Sequence, residues 1–308
     1  MKKEYEKFVE ELRLALLSTT GMKEDRIFFR RKGEPLAETG DRLFVECAED
    51  EDTVEICGIY TEELYERYEE EESLEALTEE VTAELQRAQQ KEFLDNTKKL
   101  VDYNQVKDLL FIRPLNVRVH RQSLRRAVYR IVGDIALVLY MKVYEQEDSI
   151  SSTKIRTEYI ARWGVEWEKV FEDALLNTMR ISPPRLYQWE NLLYDPEYTG
   201  DSFMEFFSNA RVSKDTRGNC LSTVKRTNGA VAIFLPGVAR RLGDLMGHDL
   251  YLAFTSIHEV MVHNADAVNP EELERVLVET IRETTPKEDF LSGHIYYYSR
   301  RTGEFSCL

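Results

Sequence analysis

The order in which helix-like and strand-like segments follow one another constrains the fold of this chain most strongly. Apolar residues spaced by three and four predict a helix over 4–17, and short apolar runs at 26–31, 42–47 and 53–60 predict an antiparallel meander. Farther along, helical and extended patterns mix without the strict strand–helix–strand alternation of a parallel sheet. The sequence therefore predicts an α+β fold, with two mixed lobes of mainly antiparallel strands and packed helices.

The regular patterns fade between residues 183 and 218. Proline and glycine residues break any period there, at Pro183, Pro184, Pro196, Gly200 and Gly218. We interpret this stretch as an irregular connection between the lobes. The predicted N-terminal lobe covers 1–182 and the predicted C-terminal lobe covers 219–308.

Local signals are clearest in the C-terminal lobe. The dipeptide Asn228-Gly229 predicts the loop of a β-hairpin between 221–226 and 230–235, because both positions of a two-residue loop favour a positive φ. The pair Asn269-Pro270 is typical of a helix start and predicts a helix that ends near residue 283.

Negative charge is concentrated in one segment of the N-terminal lobe. Residues 49–84 contain 16 Asp and Glu residues and one basic residue, Arg67, so this segment accounts for nearly all of the chain's formal charge of −16. Apolar residues at steps of three and four between Leu74 and Ala88 predict an amphipathic helix there. The simpler interpretation of the acidic segment is a solvated helix face. The alternative is a docking surface for a basic partner.

The net charge also argues against nucleic acid as a partner, because sequence-independent affinity for phosphate requires an excess of Lys and Arg. An arginine-rich stretch does lie between Arg113 and Arg130. Aromatic residues, on which bases would stack, occur only at its edges. We interpret this stretch as the solvated side of a helix, or as positive charge that balances the chain's own acidic segment.

Targeting and redox signals point to the cytoplasm. The N-terminus lacks the apolar stretch of a signal peptide, and the longest unbroken apolar run, 135–141, is too short to span a bilayer. The four cysteines include no C-x-x-C pair, so neither a disulfide framework nor a zinc ribbon is predicted. We expect a soluble, reduced protein that is not attached to a membrane.

Three segments of the C-terminal lobe carry a family resemblance: Asn228-Gly229-Ala230, the run Phe234-Leu235-Pro236-Gly237-Val238, and the run Ser256-Ile257-His258-Glu259-Val260. They resemble the C-terminal half of an uncharacterised family of Gram-positive anaerobic bacteria, and similarity extends over about 107–177 and 220–298. The resemblance implies no activity, because the family has no established function. The chain departs from the family at Tyr129-Arg130, where a His-Arg pair is expected.

His258 and Glu259 are the most prominent polar pair in an apolar run. The next histidine, His263, follows His258 by five residues, whereas zinc proteases need two histidines four residues apart on a helix. We therefore predict no metal site and no cofactor. The branched residues of 256–263 favour a strand, on which neighbouring side chains point to opposite faces. A structural role and a ligand contact both remain open for this pair.

Asp134 precedes the apolar run 135–141, where burial of an unpaired carboxylate would be costly. Arg130 is the nearest arginine in the sequence and could neutralise it. We favour this structural role over general-base catalysis.

These observations favour a non-catalytic binding or interaction module. The expected partner is a protein or a small ligand held in a groove between the two lobes, and the candidate binding residues are His258, Glu259, Asp134 and Arg130. The alternative is a hydrolase or transferase of unknown class that uses His258, Glu259 and Asp134. No residue is predicted to be catalytic under the favoured interpretation.

Overall fold

A computed structural model describes residues 2–37, 40–49, 54–88, 99–121, 123–146, 149–188, 191, 194–195, 197–205, 208 and 210–308. The chain divides into two compact units, Met1–Lys98 and Lys99–Leu308. Each unit has its own sheets and its own helices.

The first unit is a three-stranded antiparallel sheet packed with helices. Its elements are α1 (Lys2–Thr20), β1 (Ile27–Arg30), β2 (Arg42–Glu49), β3 (Val54–Tyr60), α2 (Thr61–Glu69) and α3 (Leu74–Ala88). The strand order β1-β2-β3 confirms the predicted meander. The core forms where Leu12 and Leu16 of α1 meet Leu77, Val81 and Leu85 of α3, so the predicted apolar stripe of the acidic segment faces inward.

The second unit begins with a sheet of four strands. Its elements are a short helix α4 (Tyr103–Val106), β4 (Leu110–Asn116), β5 (Tyr129–Val132), β6 (Ile135–Gln146) and β7 (Ser149–Lys154), followed by α5 (Thr157–Trp163) and α6 (Trp167–Ile181). The strands β4, β5 and β7 all pair antiparallel with the long strand β6. Gly164 ends α5 in the left-handed conformation, just before α6 begins.

A six-stranded sheet completes the second unit. Its strands are β8 (Pro184–Tyr187), β9 (Asn219–Thr223), β10 (Leu250–Ala253), β11 (Val260–Asn264), β12 (Ile295–Tyr298) and β13 (Phe305–Cys307), in the order β13-β12-β10-β11-β9-β8. The helices of this part are α7 (Val238–Met246) and α8 (Pro270–Thr284). Neighbouring strands of this sheet pair antiparallel. The α+β fold with mainly antiparallel strands is therefore confirmed.

The boundary between the two units differs from the predicted one. Strand β8 lies at the start of the connection 183–218 and β9 follows it, yet the two strands pair directly, with Leu186 opposite Leu221 and Tyr187 opposite Cys220. The stretch thus connects two neighbouring strands of one sheet. The boundary between the compact units lies instead between residues 98 and 99.

The predicted hairpin at Asn228-Gly229 is wrong. Asn228 has a positive φ of 54°, but Gly229–Phe234 forms a buried 3₁₀ helix and not a strand. Gly229 is required for close packing, since a Cβ there would lie 2.0 Å from Ser222 Oγ and 2.5 Å from the carbonyl oxygen of His258. The turn signal therefore predicts the positive φ of Asn228 correctly. Tertiary contacts decide that a 3₁₀ helix, and not a strand, follows it.

In the part of the chain that the structure describes, every helix is too short or too polar to cross a membrane.

Candidate ligand-binding groove

Helix α8 covers part of one face of the six-stranded sheet. Asn269 caps its start, with Oδ1 accepting hydrogen bonds from the backbone N–H groups of Glu271 (2.9 Å) and Glu272 (3.1 Å). Leu277 of α8 then packs against Ala253 and Ile295 of the sheet. This cap and this apolar contact fix where the helix lies.

The side chains of the sheet alternate between its two faces, as strand geometry requires. Ala253 of β10 lies opposite Ile295 of β12, and both contact α8. Their neighbours Leu252 and Tyr296 are also paired across β10 and β12 and point to the opposite face, where both are fully buried.

A groove of about 880 Å³ lies between α8 and this face of the sheet. Its middle is apolar and includes Met261, Val276 and Leu277. One end is polar and is formed by Thr255, Ser256, His258, Glu259, Thr285 and Asp289; the other end is formed by Thr216, Arg217, His263 and Asn269. Both ends are covered by the same helix, because the C-terminus of α8 approaches Thr255 through a hydrogen bond from Thr285 Oγ1 to its carbonyl oxygen (2.7 Å).

One imidazole nitrogen of His258 is occupied by a backbone hydrogen bond. Nδ1 accepts a hydrogen bond from the backbone N–H of Asn228 (3.1 Å), so the proton resides on Nε2. Nε2 lies 3.3 Å from Asp289 Oδ1, which is an electrostatic contact. The ring is therefore held as a neutral tautomer whose lone pair is already bonded.

His258 lies outside the ladder of β11, which begins at Val260. The backbone N–H of Ile257 donates to the carbonyl oxygen of Asp289 (2.8 Å), and the carbonyl oxygen of Ile257 accepts from Ala230 (3.1 Å). These bonds draw the segment away from the sheet. The expectation that His258 and Glu259 point to opposite faces of a strand is consequently wrong, and both line the groove.

The carboxylate of Glu259 is held by two neutral donors. Thr255 Oγ1 donates to Oε1 at 2.9 Å, and Cys220 Sγ donates to Oε2 at 3.5 Å. Burial raises the pKa of the Cys220 thiol well above its ordinary value, and the nearby charge of Glu259 raises it further. The thiol therefore stays protonated and orients the carboxylate without neutralising it.

His263 lies at the opposite end of the groove and is only 6% exposed. Burial lowers the pKa of its imidazole, and a hydrogen bond with the backbone of Thr216 opposes this shift in part. Its Nδ1 has no hydrogen-bond partner. The backbone of Gly218 packs against the ring, since a Cβ at this position, which has a φ of +72°, would lie 2.5 Å from His263 Cε1.

Asp134 and Arg130 lie away from the groove. Tyr296 Oη donates to Asp134 Oδ1 (2.6 Å) and Asn116 Nδ2 donates to Oδ2 (3.1 Å), so neutral donors hold this carboxylate on the far face of the sheet. The guanidinium of Arg130 instead lies over the ring of Phe171, at 4.5 Å from its centroid. The expectation that Arg130 neutralises Asp134 is wrong. The guanidinium of Arg130 packs on aromatic rings of α6, and the carboxylate of Asp134 accepts a hydrogen bond from the phenol of Tyr296.

The chain matches one family model over residues 5–300. It belongs to DUF5688, a family of unknown function. The expected resemblance to an uncharacterised family is thereby confirmed. No curated protein and no solved structure matches this member of DUF5688.

Sequence reasoning missed three groups that shape the groove of this DUF5688 protein. Asp289 is 31 residues from His258, and no local spacing signals their contact. Asn228 was noticed only as a turn residue, although its N–H sets the tautomer of His258. Cys220 donates to Glu259 from the neighbouring strand, and this contact depends on the pairing of β9 with β11.

Among the described residues, no group of three or more His, Cys, Asp and Glu side chains is arranged to hold a metal ion.

Proposed function

We propose that this protein acts by binding a small ligand in the groove between α8 and the six-stranded sheet. The shape and lining of the groove carry the proposal: it has a volume of about 880 Å³, an apolar middle and polar ends. Ligand sites in proteins typically combine an apolar wall with a few polar groups that orient the ligand. The groove lies within the second unit, where its walls come from one sheet and the helix that packs on it.

The contacts of the candidate residues favour binding over acid–base catalysis. A general base must reach the proton that it abstracts through a free lone pair. His258 has its unprotonated nitrogen occupied by the Asn228 N–H, and Asp134 is bonded to Tyr296 on the other face of the sheet. A hydrolase or transferase that joins His258, Glu259 and Asp134 would need these three groups to converge.

The test uses two valines that are matched on the same helix. Val276 lines the groove and is 60% exposed, whereas Val278 is 52% exposed and lies outside the groove lining. A thermal-shift screen of metabolites identifies compounds that raise the melting temperature of the full chain, because a ligand that binds only the folded form stabilises it. We expect Val276→Trp to abolish these shifts and Val278→Trp to retain them.

Equal shifts in both tryptophan variants would show that ligands bind elsewhere and would contradict the proposal. Turnover of a bound compound by the purified protein, lost in His258→Ala, would support the hydrolase or transferase alternative instead.

A further inference from the structure

Taking the proposed function as its basis, we infer that the groove binds an amphipathic amine, whose ammonium group contacts Glu259 and whose alkyl chain lies along the apolar middle of the groove. This ligand chemistry follows from the charge of Glu259, the charges of the other groove residues and the apolar middle of the groove.

Glu259 has a negative charge without a cationic partner. Its two hydrogen-bond donors, Thr255 and Cys220, are neutral. Among the residues that the structure describes, no Lys, Arg or His side chain forms an ion pair with it. A half-buried carboxylate of this kind favours a cation or a strong N–H donor as its remaining contact.

The other charged groups of the groove increase its negative potential. Asp289 lies at the same end as Glu259, and its partner His258 is neutral because Nδ1 accepts a hydrogen bond. Glu272 adds a third carboxylate, and Arg217, which is exposed at the opposite end, is the groove's one guanidinium. A cleft lined mainly by one sign of charge attracts ligands of the other sign, so an anionic ligand is disfavoured.

The end away from Glu259 includes the side chain of His263, which is more than nine-tenths buried. Its Nδ1 has no hydrogen-bond partner, but the atom is shielded and the backbone of Gly218 packs against the ring. This nitrogen is therefore not available to a ligand in the groove, and the polar contact that selects a ligand is at the Glu259 end.

An apolar path connects the two ends. Glu259, Met261 and His263 are two residues apart in turn and line the same side of the groove. Glu259 and His263 are four residue steps apart in extended chain, which corresponds to about 13 Å. Met261 and Leu277 lie between them. This spacing suits an extended alkyl chain with a polar group at one or both ends.

The test measures three probes by isothermal titration calorimetry with the full chain at pH 7. The probes n-octylamine, n-octanol and n-octanoate share one alkyl chain and differ in the charge of the head group. We expect n-octylamine to bind about tenfold tighter than n-octanol, as a charge-assisted hydrogen bond implies. We expect n-octanoate to bind most weakly.

Glu259→Gln removes the charge and keeps the shape of the side chain. We expect it to weaken n-octylamine binding by about tenfold and to leave n-octanol binding unchanged. Glu75→Gln, an exposed position on α3, is the matched control and should change neither. Asp289→Asn removes the second charge at the same end, so it provides an independent test if Glu259→Gln does not fold. We expect a smaller loss of amine affinity there.

Equal binding of n-octanol and n-octylamine, or a Glu259→Gln variant with unchanged amine affinity, would overturn the amine inference. If alcohol binding is then still lost in Val276→Trp, the proposed groove function stands. If no probe binds the wild-type chain, the amine inference is also wrong, and the metabolite screen with the two valine variants decides the proposed function separately.

Discussion

The two units of the protein hold their carboxylates in different ways. In the first unit, the acidic side chains of α2 and α3 lie mostly at the surface, and the apolar side of these helices forms the core. Arg67, the one basic residue of the acidic segment, bonds both oxygens of Glu72 and also contacts Glu80 at 3.0 Å. Much of this charge is exposed to solvent, and Arg67 pairs with two of the carboxylates.

In the second unit, the fold holds individual carboxylates against specific hydrogen-bond donors. Glu259 is held by a hydroxyl and a thiol, and Asp134 by a phenol and an amide. The amount of negative charge in a segment therefore does not indicate where a ligand-binding groove lies. The acidic segment dominates the net charge, yet the groove with an unpaired carboxylate lies in the other unit.

The largest expected effect concerns the core of the first unit. Leu77 is fully buried between α3 and α1, and Leu77→Ala should lower the free energy of unfolding by about 2–5 kcal/mol. Glu75→Gln, two residues away and exposed, should change it by less than about 0.5 kcal/mol. Urea unfolding followed by circular dichroism measures both. A larger loss in Glu75→Gln than in Leu77→Ala would show that the acidic face, and not the apolar stripe, supports this unit.

A medium effect is expected at Asp134, the partly buried carboxylate that Tyr296 contacts in the second unit. Tyr296→Phe removes the hydroxyl that donates to Asp134 Oδ1 and accepts from the Asp134 N–H (2.9 Å), so it should cost about 1–3 kcal/mol. Gly133 makes room for this hydroxyl, because a Cβ there would lie 2.4 Å from Tyr296 Oη.

Tyr297→Phe is the matched control for Tyr296→Phe. Its hydroxyl bonds Asp249, and the side chain is only partly buried, so its removal should cost less. Chemical denaturation measures the free energy of unfolding of both variants. If both lose the same amount, the more buried hydroxyl–carboxylate contact is worth no more than the exposed one. The two units would then not differ in how strongly they hold their carboxylates.

The smallest expected effect is at the surface of the first unit. Arg67→Gln breaks the contacts with Glu72 and Glu80, whose side chains are 36% and 46% exposed. Because solvent screens such pairs, we expect a loss of about 1 kcal/mol or less. The loss should shrink further in high salt. A loss of several kcal/mol that is independent of salt would show that the contacts of Arg67 with Glu72 and Glu80 behave as a buried ion pair.

Part of the fold was predictable because its determinants are local. The strands of the first unit and the cap of α8 at Asn269 follow from apolar spacing and turn residues within a few positions. The pairing of β8 with β9 across the irregular loop was not predictable, because strand pairing depends on contacts between residues far apart in the sequence.

The candidate site was predicted only in part, for the same reason. His258 and Glu259 stood out as polar residues in an apolar run, and both line the groove. Asp134 and Arg130 also stood out, but the first bonds Tyr296 from another sheet and the second lies against α6. A polar residue in an apolar run indicates that its side chain needs a specific contact. Only the tertiary structure shows whether that contact is another residue of the protein or is open to a ligand.

The sequence by itself determined the class of fold, the inward face of the acidic helices and the family to which the chain belongs, because these depend on local spacing and on motifs. Only the tertiary structure decided that α8 leaves a groove on the sheet, that the N–H of Asn228 occupies Nδ1 of His258, and that the charge of Glu259 faces neutral donors alone. The physical reason is that each of these contacts joins segments whose distance along the chain says nothing about their distance in space.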